Sequence, residues 1–184
     1  MPDASVVRPA VFLDRDGTIA EEVGYLNHIS RFRMFFFVTA AIRRFNERGL
    51  PVVLVTNQSG VGRGYFPESV VHSVHELITQ KLAAEGGHVD AFYYCPDTSA
   101  ENCTCRKPKT GMLDCAASGL GLDLERSFVV GDRYGDIQLA RNVKARSILV
   151  RPATGKGNSP GVRQSGPCNR ILLPATLRMR PIGS

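Results

Sequence analysis

Apolar positions along the chain fall into short continuous runs that alternate with segments of helical period. Ala10-Val11-Phe12-Leu13 is one run, ending at Asp14, and Pro51-Val52-Val53-Leu54-Val55 is a second, ending at Thr56-Asn57. Residues 89–94, 127–130 and 147–150 supply three more. Runs this short, rich in β-branched and aromatic residues, predict buried strands. Between the first two, Val38, Ala41, Ile42 and Phe45 recur at i, i+3, i+4 and i+7, with Gly49 at the expected stop, which predicts a helix. Pro67 opens a longer helix with an apolar face of Val70, Val71, Val74, Leu77, Ile78 and Leu82, ended by Gly86-Gly87. Shorter helices are expected over 113–120 and 137–143.

Strands that are apolar throughout, alternating with helices, predict an α/β fold: a three-layer sandwich around a parallel sheet covered on both faces. Ligands of such sheets bind beyond the carboxyl ends of the strands. Asp14, Thr56 and Asp132 all stand at such ends, so they are expected to converge.

Composition narrows the function classes. A chain of 184 residues with 43% hydrophobic and 22% charged residues suits one globular domain. No apolar run reaches the roughly 18 residues of a membrane span, and residues 1–9 show no signal-peptide pattern. A cytoplasmic, monomeric protein with no membrane partner is expected. Of the net charge of +6, +5 sits in residues 156–184, whose only charges are Lys156, Arg163, Arg170, Arg178 and Arg180. That segment is rich in Gly and Pro and is expected to be a loosely attached tail on a core of residues 1–155. Ile171-Leu172-Leu173 could dock as an edge strand. No stripe of basic and aromatic residues crosses the core, so a nucleic-acid partner is not expected.

Two clusters carry chemistry. Asp14 and Asp16 end a buried strand, and Gly17 allows the chain to turn after them. Carboxylates this close repel unless a proton or a cation is shared, and a hard divalent ion such as Mg²⁺ resolves the conflict. The second cluster is Cys95, Cys103 and Cys105, three of five cysteines. In a cytosolic chain it reads as a metal site before a disulfide; three reduced thiols on a loop is the alternative. Cys115 and Cys168 are expected to be bystanders. Asp136 could reach a metal through water or cap the helix that follows it, and the onset of helical period favours the cap. His72 and His75 are expected on the exposed face of their helix, and His28 has no assigned role.

Asp14-Arg15-Asp16-Gly17-Thr18 resembles the first motif of the haloacid dehalogenase-like phosphatases, and Val55 to Gly60 resembles the second. Lys107, in Arg106-Lys107-Pro108, resembles the third, and Gly131-Asp132-Arg133-Tyr134-Gly135-Asp136 the fourth. Gly24-Tyr25, Tyr94-Cys95-Pro96 and Cys103-x-Cys105-Arg106-Lys107-Pro108 are similar to features of the histidinol-phosphatase subgroup. The resemblance covers residues 10–151. It implies an Mg²⁺-dependent phosphoric monoester hydrolase of the Rossmannoid type without a large cap domain.

The substrate implied is a small sugar bisphosphate, a heptose bisphosphate foremost, in the supply of lipopolysaccharide precursors. Histidinol phosphate is the nearest alternative substrate, and a non-catalytic phosphosugar-binding module the alternative from another class. The implied roles are Asp14 as nucleophile, Asp16 as general acid and base, and Thr56 and Lys107 on the phosphoryl oxygens. Mg²⁺ would be held by Asp14, the Asp16 carbonyl and Asp132. Glu22, Val23, Gly24, Tyr25, Asn57, Gln58, Ser59, Arg106 and Arg133 would bind the rest of the substrate. The cysteines are similar to the subgroup's structural Zn²⁺ loop. Asp97 stands where that loop has histidine, so the expected Zn²⁺ ligands are Cys95, Cys103 and Cys105, with Asp97 or another group as the fourth.

Overall fold

The computed structural model describes residues 7–150. The expectations for the tail, residues 156–184, including the edge strand at 171–173 and Cys168, lie outside the described residues.

Five strands form one parallel sheet: β1 (Val11–Leu13), β2 (Val52–Asn57), β3 (Ala91–Cys95), β4 (Phe128–Gly131) and β5 (Arg146–Leu149). Four helices connect them: α1 (Val38–Glu47) and α2 (Glu68–Ala83) before β3, then α3 (Gly111–Leu120) and α4 (Tyr134–Asn142). The strand order is β3-β2-β1-β4-β5. Val11 pairs with Val52 on one side and with Phe128 on the other. The chain thus winds outward in one direction from β1 and later resumes on its opposite side. The point of reversal, between β1 and β4, is where an open parallel sheet leaves a crevice at its carboxyl edge.

Side-chain alternation divides the core in two. Phe12, Val53 and Val55 point to the layer built by Met112, Leu113, Ala116 and Leu139 of α3 and α4. Val11, Leu13, Val52 and Leu54 point to the layer of Val38, Ile42, Val74, Ile78 and Leu82 of α1 and α2. Both faces of the central strands are covered, which is why those strands are apolar at every position.

The helix stops fall as their residues dictate. Gly49 (φ +66°) follows α1, and Gly121 (φ +63°) caps α3 in the left-handed conformation. Pro67 stands one position earlier than expected, as the N-cap of α2. α3 and α4 begin at Gly111 and Tyr134, earlier than the hydrophobic period suggests.

Two expectations are corrected. β5 was expected to be buried, but all four of its residues are exposed among the described residues, including Leu149 at 60%. It is the edge strand, with β4 as its one sheet neighbour. His75 was expected on an exposed face, but it is buried and stacks on Phe92 with ring centroids 4.6 Å apart. It shares the stripe of Val71, Val74, Ile78 and Leu82. Burial, with the Arg15 cation nearby, pushes its pKa down to about 3, so it is a neutral imidazole.

Candidate active site

Asp14 follows directly on β1, Thr56 and Asn57 end β2, and Asp132 follows β4. Their side chains meet over the reversal point. Asp14, Asp132 and Asp136 each offer a carboxylate oxygen, all within 4.8 Å of one another. The turn after β1 makes this approach possible. Gly17 has φ +85°, and a Cβ there would stand 2.3 Å from Asp132 Oδ2. Glycine therefore meets both a backbone and a space requirement at this position.

Lys107 lies at the centre of the carboxylates. Its Nζ is 2.6 Å from Asp14 Oδ1 and 2.7 Å from Asp136 Oδ1, and it donates to the Val55 carbonyl at 3.0 Å. All three ammonium donors are thus used by the protein. Burial opposes the charge on Lys107, but Asp136 and Asp14 outweigh it and raise its pKa. Asn57 fixes the backbone of Lys107, accepting from its N–H at 3.0 Å and donating to its carbonyl at 3.2 Å.

Buried negative charge remains in excess. Burial raises the Asp14 carboxyl to about 7 despite Lys107, with Asp136 adding to the rise. Burial also raises Asp132. Asp132 Oδ1 is buried and accepts no hydrogen bond, Arg133 Nε being 3.9 Å away. An oxygen-only donor set with an orphaned buried carboxylate oxygen fits a hard divalent cation.

Asp16 is held differently. Arg15 Nε donates to its Oδ1 at 3.0 Å and Arg15 Nη2 to its Oδ2 at 2.8 Å. Gln58 Nε2 donates to Asp16 Oδ2 at 2.8 Å and to Thr56 Oγ1 at 2.9 Å.

These groups floor an open cleft of about 420 Å³. Its walls include Glu22, Gly24, Tyr25, Asn57, Gln58, Ser59, Arg106 and Arg133, as expected from the sequence, together with Gly60, Arg63, Gly135 and Asp136. Val23 is the exception to the expected set. It is absent from the lining and packs its side chain against the α1/α2 layer, while its carbonyl accepts from Arg31 at 2.9 Å. Glu22 pairs with Arg133 across the mouth. Burial opposes the Arg133 charge, but Glu22 and Asp132 raise its pKa. Tyr25 meets Tyr65 edge-on, with ring centroids 4.7 Å apart.

Of the two roles weighed for Asp136 in the sequence, the structure shows the helix cap. It closes a capping box at the start of α4, accepting from the Arg133 N–H at 3.2 Å, and it turns its other oxygen to Lys107. The cap was legible from the onset of helical period; the lysine contact had no local signal.

The cysteine loop stands behind Arg106, whose Nη1 donates to the Asp97 carbonyl at 2.9 Å. Cys95, Asp97 and Cys103 bring ligand atoms within 4.8 Å of one another, and Cys105 lies outside that group. Cys103 is disulfide-bonded, so the loop would offer its thiolate to a metal only after reduction. Burial raises the Cys95 thiol to about 12.

A parallel sheet with a buried carboxylate after its central strand, a lysine against it and further carboxylates after β4 fits a hydrolase of the haloacid dehalogenase-like class. A HAD-hydrolase-like family model matches residues 104–167. The D-glycero-D-manno-heptose-1,7-bisphosphate 7-phosphatase of Thermosynechococcus vestitus is 44% identical over 159 residues, covering 80% of this chain and 81% of its own length. The corresponding D-glycero-beta-D-manno-heptose-1,7-bisphosphate 7-phosphatase of Haemophilus influenzae is 40% identical, covering 80% and 86%. Among solved structures, the D,D-heptose 1,7-bisphosphate phosphatase of B. bronchiseptica, complexed with magnesium and phosphate, superposes with a TM-score of 0.73 at 32% identity, covering 77% of this chain and 79% of that one. The chain belongs to this family of heptose-bisphosphate phosphatases. Among the described residues, no helix is long and apolar enough to cross a membrane.

Proposed function

We propose that the chain hydrolyses the C7 phosphate monoester of D-glycero-D-manno-heptose 1,7-bisphosphate through a phosphoryl group carried on Asp14. The observation that carries the reading is the position of Asp14: at the carboxyl end of β1, against Lys107, on the floor of a cleft walled by arginines. Lys107 holds Oδ1, which leaves Oδ2 to attack phosphorus. Asp16 protonates the departing sugar alkoxide and then takes the proton of the hydrolytic water. The Thr56 hydroxyl binds a phosphoryl oxygen, and the Lys107 ammonium binds another by exchanging one of its carboxylate contacts for it as the charge rearranges. Arg106 and Arg133 receive the second phosphate, and Glu22, Gly24, Tyr25, Asn57, Gln58 and Ser59 border the sugar.

Asp14, Asp132, Asp136 and the Asp16 carbonyl would hold Mg²⁺, which when bound offsets the repulsion between the anionic nucleophile and the phosphate. The reduced cysteine loop is a second metal site in this reading. Cys95, Cys103 and Cys105, with Asp97, would hold structural Zn²⁺ and fix the segment that presents Arg106 and Lys107.

Phosphate release from a panel of esters with Mg²⁺ tests the proposal. Heptose 1,7-bisphosphate should be hydrolysed at C7 with a higher kcat/KM than histidinol phosphate. A preference for histidinol phosphate, or binding without turnover, would overturn it.

A further inference from the structure

Arg15 occupies the variable position of the Asp-x-Asp segment, yet it has the largest of the fully buried side chains, at 1% exposure. A guanidinium is costly to bury unless it is paired and hydrogen-bonded. Its partner is the adjacent residue, which a strand would turn to the opposite face. The turn after β1 makes the contact possible: the Arg15 carbonyl accepts from the N–H groups of Thr18, Ile19 and Ala20 at 3.3, 3.0 and 3.1 Å. The chain reverses within one residue, and the guanidinium fork closes on the Asp16 carboxylate.

The donors are unevenly shared. Asp16 Oδ2 accepts from both Arg15 Nη2 and Gln58 Nε2, at 2.8 Å each, which fills its two lone pairs. Oδ1 accepts from Arg15 Nε alone, at 3.0 Å, and keeps one lone pair. The Asp16 side chain is 17% exposed and lines the cleft, while Arg15 is sealed behind it.

We propose that Arg15 and Gln58 are positioning residues for Asp16. They select Oδ1 as the oxygen that gives and takes the proton. The inference rests on the phosphatase reading above. In the first half-reaction the Asp14–phosphorus bond forms, the ester P–O bond breaks, and the proton on Asp16 Oδ1 passes to the leaving alkoxide. In the second, Oδ1 takes a proton from water as the water oxygen attacks phosphorus. The Asp14–phosphorus bond then breaks and inorganic phosphate leaves. Both halves need Oδ1 in place, but only the first depends on protonating a poor leaving group, so a good leaving group isolates the second.

The test uses the full chain with Mg²⁺ and 4-nitrophenyl phosphate, whose leaving group needs no protonation, beside heptose 1,7-bisphosphate. Arg15→Met should lower kcat on the order of 10- to 100-fold, a part of what general acid–base catalysis supplies, with KM little changed. Rapid quench should show a burst of one nitrophenolate per enzyme and a trapped phosphoenzyme. Gln58→Met should show the same signature more weakly, and it decides the matter if Arg15→Met does not fold. Arg15→Lys, which keeps the charge without the fork, should not restore the rate. Turnover unchanged in the folded variants, or a loss without accumulated phosphoenzyme, overturns the proposal. An inactive wild type overturns the phosphatase reading itself and this inference with it.

Discussion

The ammonium of Lys107 lies 2.6 Å from Oδ1 of Asp14, and both side chains are less than a tenth exposed. The contact joins the residue after β1 to a loop 93 positions later in the chain. It does so where Asp136 brings a second carboxylate within 2.7 Å of the same nitrogen. One buried cation therefore stands between two buried anions, and the floor of the cleft depends on it.

Removing that cation leaves uncompensated buried charge. Lys107→Met should cost about 3–5 kcal/mol of stability, the usual penalty for breaking a buried pair from one side. Turnover should fall by roughly 100-fold or more, as when a donor to developing phosphoryl charge is lost. Urea unfolding and steady-state phosphate release check the two effects separately. A variant as stable as the wild type would show that the pair is not the anchor inferred from its burial.

His75 gives the fold a pH dependence of known sign. Its pKa falls from an ordinary 6.5 to about 3 in the folded chain, so the unfolded chain binds the proton more readily. Stability from this group is fully present above about pH 6.5 and is lost as pH drops toward 3, at up to about 1.4 kcal/mol per unit. His75→Leu removes the titrating ring from its place against Phe92. Between pH 7.5 and 5, the wild type should lose roughly 2 kcal/mol more than the variant in urea unfolding. Equal losses would contradict the neutral, buried imidazole.

The cysteine loop makes a separate prediction. Reduced protein should take up about one Zn²⁺ through thiolate ligands. Cys95→Ala should abolish that uptake and raise KM for the bisphosphate, because the Asp97 carbonyl next to the site anchors Arg106. Metal analysis and kinetics of the reduced protein check both. Zn²⁺ uptake unaffected by Cys95→Ala would remove the loop from the account.

Much of the fold was legible because each central strand is apolar at every position, and that pattern has few structural meanings. Val52 to Val55 must be covered on both sides, and the clusters on the two faces of the sheet cover them. Strand ends follow from the same runs, which is why Asp14, Thr56 and Asp132 could be expected to meet. His75 was misjudged because polarity was read residue by residue, although its spacing from Val71, Val74 and Ile78 placed it on the buried stripe. Arg15 and the lysine contact of Asp136 were not legible for a different reason. Both are charged groups whose burial is repaid by one partner brought close through tertiary folding or a tight turn, and periodicity carries no trace of such a pair. Val23 followed from its neighbours Glu22 and Gly24 by position alone, and the alternation of the chain turned it inward instead.

The central claim is that Asp14 carries the phosphoryl group. Single-turnover hydrolysis of heptose 1,7-bisphosphate with Mg²⁺, quenched and mapped by peptide mass, tests it most directly. The account predicts a transient phosphoryl group on the peptide containing Asp14 in the wild type. It also predicts no phosphopeptide and no phosphate release in Asp14→Asn. Phosphate release at an undiminished rate from Asp14→Asn would contradict it.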